Sequence, residues 1–294
     1  MNKQPIGLLG ATSLVGECLL RQLIQAHRHV TAFSRHPMTQ SHSQVTWQQL
    51  DTTHQTKINT AEHKISAWLC VAPVWILPEY FDLLLAHGAQ RIVVLSSTSR
   101  FTKNNSSDSI ERKIAQQLIT GEELVQAWAA SHGVEWIILR PTMIYGYGRD
   151  KNVAEIARFI RRFGFFPVLG SAKGLRQPIH VEDVASACFS ALGTLNLRNR
   201  SYNLTGGETV QYREMVKRVF EALDRPSRIL TVPLWFFQMA AWGLGWLPRY
   251  QHWTTAMAER MNQDLRFDGS DATRDLNFSP RYFKLATEDL PGQN

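Results

Sequence analysis

The stretch Ile6–Ile24, IGLLGATSLVGECLLRQLI, decides the fold. It opens with a short apolar run that Gly10 closes, and it continues with apolar residues at helical spacing from Leu14 onward. We therefore predict a buried strand, a tight turn and a helix. Gly10 permits the turn, and Gly16 lets the helix pack closely on the strand. The free N–H groups at the start of such a helix favour binding of a pyrophosphate.

The same alternation continues through the first half of the chain. Apolar runs without polar alternation are separated by helical patterns, which predicts an α/β protein with a Rossmann-type, doubly wound parallel sheet. Ligands of such sheets bind beyond the carboxyl ends of the strands, so we expect the loops there to form one crevice. The predicted strands are 6–9, 30–33, 45–50, 65–71, 91–95 and 136–139, and the loops after them carry Gly10–Gly16, Ser34-Arg35, Asp51, Ala72-Pro73, Ser96-Ser97 and Pro141-Thr142.

Beyond residue 145 the pattern loosens, and glycines recur through 146–174. We predict a nucleotide-binding Rossmann domain over residues 1–145, with a return segment over 178–205. A smaller C-terminal substrate lobe is predicted to consist of residues 146–177 and 206–294. The sequence contains no internal repeat that would suggest a solenoid.

Composition narrows the class of protein. Hydrophobic residues make up 44% of the chain and charged residues 19%, which indicates a globular protein with a sizeable core. The formal net charge is +7, but the densest basic group, Arg158, Arg161 and Arg162, lies at helical spacing. A solvated helix face is favoured there over an anion-binding face, and we expect no nucleic-acid partner. The three cysteines lie far apart in apolar runs, which predicts buried free thiols in a reducing compartment and no metal site.

We predict a cytoplasmic protein without a transmembrane span. The first apolar run begins near Pro5, which leaves no room for a signal or transit peptide. The longest apolar stretch, Ile229–Leu247, contains Pro233, and the residues after it fall short of the roughly 20 that span a bilayer. The Trp-rich part, 234–247, has three interpretations: core of the lobe, contact of a homodimer, or membrane-facing surface.

The end of the second predicted strand indicates which cofactor is preferred. An acidic residue there would bind the ribose 2′-hydroxyl of NAD, but the sequence is Ala32-Phe33-Ser34-Arg35-His36 and contains no acid. A serine and a guanidinium suit a 2′-phosphate instead. We therefore predict NADP(H) in preference to NAD(H), with a solvated Arg35 as the alternative.

Five motifs, in this order, resemble the short-chain dehydrogenase/reductase superfamily, and in particular its extended and atypical branch of NAD-dependent epimerase/dehydratase-like proteins. The resemblance covers nearly the whole chain and implies a bound nicotinamide dinucleotide and a small-molecule substrate that the sequence does not identify. The motifs are GATSLVG (10–16), VVLSSTS (93–99), WIILRPTMIYGYG (136–148), QPIHVEDVASA (177–187) and RMNQDLRFDGSDATRDLNFSPRYF (260–283). The cofactor contacts that it implies, together with the two glycines of the turn, are Gly10, Thr12, Ser13, Leu14, Val15, Gly16, Ser34, Arg35, Asp51, Ala72, Pro73, Ser96, Pro141 and Thr142.

The resemblance also implies a catalytic serine, tyrosine and lysine. The tyrosine acts as general acid and base, the lysine lowers its pKa and holds the ribose, and the serine steadies the substrate oxygen. Ser97 matches the serine, but no tyrosine occurs between Tyr80 and Tyr145. The usual proton donor is therefore predicted to be missing.

Two registers place the missing pair on the long helix that follows. Counting back from Gly121-Glu122 puts the tyrosine and lysine positions on Ile114 and Leu118, so that both groups would be lost. Taking Lys113 as the lysine puts the tyrosine position on Ser109, whose hydroxyl is a far weaker acid than a phenol. Neither register restores the usual mechanism.

Substitute donors can be sought near the ligand end of the sheet. Tyr145 and Tyr147 follow the sixth strand and His180 lies near the return segment, and each has a structural role as its alternative. Ser97, Lys113 and Tyr145 form our set of candidate catalytic residues. Two functions are compatible with it: an NADP-dependent oxidoreductase or epimerase-like enzyme with an atypical active site, or a non-catalytic NADP(H)-binding sensor or assembly protein.

Overall fold

The computed structural model describes residues 4–39, 42–50, 64–104, 106–194, 196–233 and 260–292. A seven-stranded sheet, parallel throughout, forms its centre. This confirms the α/β fold with a doubly wound parallel sheet. In spatial order the strands are β11 (Arg200–Leu204), β6 (Glu135–Pro141), β5 (Arg91–Leu95), β4 (Ala67–Cys70), β1 (Ile6–Leu9), β2 (Val30–Ser34) and β3 (Val45–Gln49).

Helices cover both faces of this sheet, which explains why the central strands are apolar without alternation. One face is covered by α1 and α6, which pack on each other, and the other by α4 together with a 3₁₀ segment, Val74–Tyr80, that follows β4. The helices are α1 (Leu14–Gln25), α2 (Phe81–Ala86), α3 (Ser99–Thr102), α4 (Ser109–His132), α5 (Val153–Phe163), α6 (Val181–Gly193), α7 (Tyr212–Ala222) and α8 (Ser270–Leu276).

A second lobe lies beside the carboxyl ends of the strands. Helices α5 and α7 pack on each other and on a separate hydrophobic core that includes Ile160, Phe220 and Phe283. These helices come from two separate parts of the chain: between them, α6 covers one face of the central sheet and β11 is a strand of it. The short strands are β7 (Ile144–Tyr145) paired with β10 (Ile179–His180), β9 (Leu175–Arg176) with β12 (Val210–Gln211), and β8 (Phe166–Leu169) with β13 (Ile229–Val232).

Three predictions from the sequence concern the cysteines, a transmembrane span and the Trp-rich segment. Cys18, Cys70 and Cys188 are buried and free, as predicted. Within the described ranges, none of the helices has both the length and the apolar run that a bilayer crossing needs. The Trp-rich segment 234–247 lies outside the described residues.

Candidate active site

The turn between β1 and α1 requires glycine at two positions. Gly10 has a φ of +86°, and a Cβ on it would lie 2.5 Å from the backbone nitrogen of Ala72. A Cβ on Gly16 would lie 2.1 Å from the carbonyl oxygen of Gly10. Both distances are too short for real atoms, so the two glycines allow β1, α1 and the end of β4 to approach closely.

Ser13, which stands where the resembled motif has a middle glycine, is explained by the helix cap that it forms. Its φ is −75°, so no left-handed backbone is required, and its Oγ accepts a hydrogen bond of 3.0 Å from the N–H of Gly16. The cap occupies one of the N–H groups that a bound pyrophosphate would otherwise use. The hydroxyl also stands at the edge of the cleft described next.

The carboxyl ends of β1, β4, β5 and β6 open onto one cleft of about 1220 Å³, which continues into the second lobe. On the lobe side it is bounded by α5, β8, the start of α7 and residues 260–267. The structure thus brings together loops that are far apart in sequence, as the parallel sheet predicts. The predicted site residues that line the cleft are Ser13, Leu14, Val15, Ser97 and Thr142.

The other predicted cofactor residues that the structure describes are not part of the lining of this cleft. Ser96 is buried, and Pro141 is buried at the end of β6. Ala72-Pro73 leads from β4 into the 3₁₀ segment. Thr12 is exposed and lines a second cavity of about 820 Å³ beside α1. Asp51 lies outside the described residues.

At the end of β2 lies a cation, Arg35, that is not paired with a carboxylate of the described residues. Ser34 is buried, and its Oγ accepts a hydrogen bond of 3.2 Å from the N–H of His36. Arg35 is exposed, and none of the carboxylates in the described ranges pairs with it. Burial raises the pKa of Tyr80, and the charge of Arg35 acts against that rise. Arg35 therefore stands within electrostatic reach of the 3₁₀ segment, at the adenosine end of the expected cofactor site.

A buried carboxylate joins β5, β6 and α4 next to Ser97. Glu122 is fully buried and accepts a hydrogen bond of 2.5 Å from the Ser96 hydroxyl. Arg140 donates to both carboxylate oxygens, at 2.5–3.1 Å, and Arg100 completes the cluster. Two guanidinium groups and a hydroxyl satisfy this buried charge, so the cluster fixes the wall from which Ser97 projects.

The two registers for the missing pair fall on different faces of α4. Ile114 and Leu118 precede Glu122 by two turns and one turn, and they pack into the core beneath the 3₁₀ segment. Ser109 and Lys113 are exposed. Lys113 is therefore not among the residues that line the cleft, and the structure does not bring it together with Ser97.

Tyr145, the candidate donor, lies in the core of the second lobe. Its side chain is fully buried, and its ring packs edge-on to His180 and Phe283 at centroid distances of 5.1 and 5.0 Å. Its hydroxyl has no hydrogen-bond partner among the described residues, and burial raises its pKa well above the usual range. This placement gives the Tyr145 hydroxyl no contact with the cleft.

The two other candidate donors make structural contacts. Tyr147 donates its hydroxyl proton to Glu182 and lines the second cavity rather than the cleft. His180 is buried, with Nε2 lying 2.9 Å from an oxygen of Asp289. Its Nδ1 accepts the N–H of Glu182 at the start of α6, so both ring nitrogens are engaged within the protein.

Among the polar residues of the cleft wall that were not found from the sequence are Lys103, Asp150, Arg176 and Tyr212. Lys103 follows α3, and Asp150 precedes α5 with one carboxylate oxygen accepting the N–H of Asn152. Burial is the main reason why the pKa of Asp150 is raised. Arg176 is buried, and Tyr212, whose pKa burial raises to about 12, packs under its guanidinium. Their neighbours in sequence form no catalytic motif, so only the fold shows that they share a cleft.

Part of the chain matches a known protein family, and known proteins resemble it over different shares of its length. Residues 79–205 match the model of the NAD dependent epimerase/dehydratase family. The uncharacterized protein y4nG of Sinorhizobium fredii (strain NBRC 101917 / NGR234) is 25% identical over 298 residues, which cover 93% of this chain and 74% of that protein. The UDP-glucose 4-epimerase of Vibrio cholerae is 23% identical over 159 residues, which cover 54% of this chain and 46% of that enzyme.

Solved structures share the fold over nearly the whole chain. A UDP-N-acetylglucosamine 4-epimerase from Bacillus cereus superposes with a TM-score of 0.72 at 14% identity, covering 97% of each chain. MoeE5 in complex with UDP-glucose and NAD superposes with a TM-score of 0.67 at 19% identity, covering 94% of this chain and 93% of that one. The resemblance drawn from the sequence is therefore confirmed: residues 79–205 match the epimerase/dehydratase family, and UDP-sugar epimerases are structural neighbours of the chain.

Proposed function

We propose that this protein binds NADP(H), in preference to NAD(H), along the carboxyl ends of the central strands, and that it does so without the tyrosine–lysine pair. The observation that carries the proposal is the continuous cleft, which joins the glycine turn to Ser97 and Thr142. The cofactor itself would supply hydride transfer. The chain would supply the helix terminus for the pyrophosphate and Ser97 for the substrate oxygen.

The preference for NADP(H) rests on Arg35. A guanidinium that pairs with none of the described carboxylates, beside the buried Ser34, offers a phosphate two or more charge-assisted hydrogen bonds. The loss of the tyrosine–lysine pair rests on Ile114 and Leu118, the apolar residues on the face of α4 that carries Glu122. For the substrate we propose a UDP-sugar, by analogy with the Vibrio cholerae epimerase and MoeE5. The homodimer and the cytoplasmic location stay predictions.

Titration of the purified protein with NADPH and with NADH, followed by the fluorescence of the reduced nicotinamide, tests the cofactor site. We expect NADPH to bind more tightly, and Arg35→Ala to weaken NADPH by about tenfold to a hundredfold with little effect on NADH. Arg198→Ala is the control, because Arg198 is an exposed arginine before β11 that pairs weakly with Glu135. Equal affinity for both cofactors, or no binding of either, would refute the proposal.

A non-catalytic NADP(H)-binding protein is the second candidate function. It is favoured by the positions of Tyr145 in the lobe core and Lys113 on the protein surface. Protein loaded with the oxidised cofactor, NADP⁺, and incubated with UDP-glucose separates the two candidates. Formation of UDP-galactose or of a ketosugar identifies an enzyme, and Tyr145→Phe and Lys113→Met then test the two predicted donors. Tight cofactor binding without any product supports the binding protein.

A further inference from the structure

Lys103 is the lysine that stands nearest to Ser97 in the sequence, six residues later and just after the single turn of α3. Both residues line the main cleft. The side chain of Lys103 is 25% exposed, so part of it is open to solvent. The cleft arginine Arg176 differs, because its guanidinium is taken up by the backbone carbonyls of Leu175 and Gln263.

Among the described residues, the carboxylate next to Lys103 balances the positive charge of its ammonium only in part. Its Nζ lies 3.6 Å from a carboxylate oxygen of Glu111 on α4. Glu111 is also paired with Arg260 and accepts a hydrogen bond of 2.8 Å from Ser106, so two cations share one carboxylate. Burial and the charge of Arg260 lower the pKa of Lys103, and the more distant Asp108 acts in the opposite direction.

We propose that Lys103 binds the reacting oxygen of the substrate beside Ser97 and donates the proton that the missing tyrosine would give. The proposal rests on the cofactor site proposed above. Its substrate class is an anionic molecule whose reacting group alternates between an alcohol and a carbonyl, such as the UDP-sugar proposed above and its ketosugar form, because an ammonium attracts both a phosphate group and a polarised carbonyl oxygen. An ammonium that gives up its proton more readily than an ordinary lysine is better suited to general acid catalysis.

The proposed step balances with NADPH as the reductant. Hydride passes from C4 of the dihydronicotinamide to the carbonyl carbon, and the carbonyl π pair moves to oxygen. The oxygen takes a proton from the Lys103 ammonium, which leaves an alcohol, NADP⁺ and a neutral amine. Water then returns a proton to the amine. In the reverse direction the neutral amine takes the hydroxyl proton as hydride leaves the alcohol carbon.

Pyridoxal 5′-phosphate, an anionic aldehyde, is a suitable probe for this amine. The aldehyde forms an imine with an accessible neutral lysine, borohydride fixes it, and peptide mass spectrometry identifies the modified residue. We expect Lys103 to be the most heavily labelled lysine at neutral pH, and its labelling to fall when NADPH occupies the cleft. Lys103→Met should abolish that label, and the control Lys217→Met, which removes an exposed lysine of α7 that pairs with Glu221, should leave it intact.

Two further measurements separate the possible failures. Lys103→Arg keeps a positive charge beside Glu111, so it should retain the thermal stability of the wild type while losing the label. A purely structural lysine would give no preferential label, no protection by NADPH and no lower pH midpoint of labelling than Lys217, and any of these results would overturn the proposal. Labelling centred on the surface residue Lys113, or on Lys151, which also lines the cleft, would overturn the proposal as well. NADPH titration of the same sample shows separately whether the cofactor site itself has failed.

Discussion

Gly16→Ala tests the close contact between α1 and β1 on which the proposed cofactor site depends. The new Cβ would lie 2.1 Å from the carbonyl oxygen of Gly10 and 2.9 Å from Cα of Ala11. Since Cβ atoms do not approach other heavy atoms within 3.0 Å, the helix must move away from the turn by about 0.9 Å. The atoms in the way belong to the backbone, so a side-chain rotation cannot relieve the clash.

The expected cost follows from two opposing effects. Overpacking of this kind costs about 1–3 kcal/mol, with the upper end expected against a rigid backbone. Replacing a helical glycine by alanine returns at most about 1 kcal/mol. The net loss is therefore about 2 kcal/mol, which in a chain of this size lowers Tm by about 3 °C. Because the moving helix end is the proposed pyrophosphate site, NADPH affinity should fall as well.

Thermal unfolding followed by circular dichroism, together with NADPH titration, measures both effects. The matched control is Gly193→Ala at the end of α6, where a Cβ would meet no atom within 4 Å. Its Tm and cofactor affinity should remain at or slightly above those of the wild type. If Gly16→Ala keeps both the wild-type Tm and the wild-type affinity for NADPH, the close contact between α1 and β1 determines neither stability nor cofactor binding.

Three other substitutions give distinct outcomes. Glu122→Gln removes the charge from a carboxylate that is bonded to two arginines. It should lower the free energy of unfolding, measured by urea titration, by about 3–5 kcal/mol. An unchanged urea midpoint would contradict this prediction. Burial raises the pKa of Asp150 in the folded protein, so the folded state loses stability as pH rises through that pKa. Asp150→Asn should therefore raise Tm at neutral pH but not in acid. A lower Tm of this variant at neutral pH would disprove the prediction. Burial acts to raise the pKa of Asp289, but hydrogen bonds, chiefly from His180, outweigh it and lower the folded pKa. Stability from this contact should therefore be present above the ordinary aspartate pKa and be lost in stronger acid, and Asp289→Asn should flatten the acid limb of the Tm–pH curve.

The sequence predicts the sheet well because the physics of its strands is local. A buried parallel strand must be apolar on both faces, and the run Ile6–Leu9 shows this without knowledge of its neighbours. The glycine turn is equally local, since Gly10 must adopt a positive φ directly after the strand. Ser13 could be explained only from the structure, because its tolerance depends on a hydrogen bond to Gly16 and on its own negative φ.

The site was harder to predict because its residues meet only through the tertiary fold. Tyr145 follows the sixth strand, as a ligand-contacting residue would, but the two-residue strand β7 directs it into the core of the lobe. Lys113 lies on α4, for which the sequence left two registers of the missing tyrosine and lysine open. Lys103 sits in a polar run that looks like any surface loop, and only the packing of α3 against α4 and the turn of the chain toward the second lobe place it on the cleft wall.

The split construction of the second lobe has a consequence for synthesis on the ribosome. Residues 153–169 leave the ribosome before the residues of α7 and β13 that complete their core. At about 5–20 residues per second, the intervening 60 or so residues take roughly 3–12 s to make. During that interval Ile156, Ile160 and Phe166 have no native partner in the later segment, while the strands of the central sheet can already pair. We therefore expect the nascent lobe to expose these apolar side chains to solvent until α7 and β13 have been made.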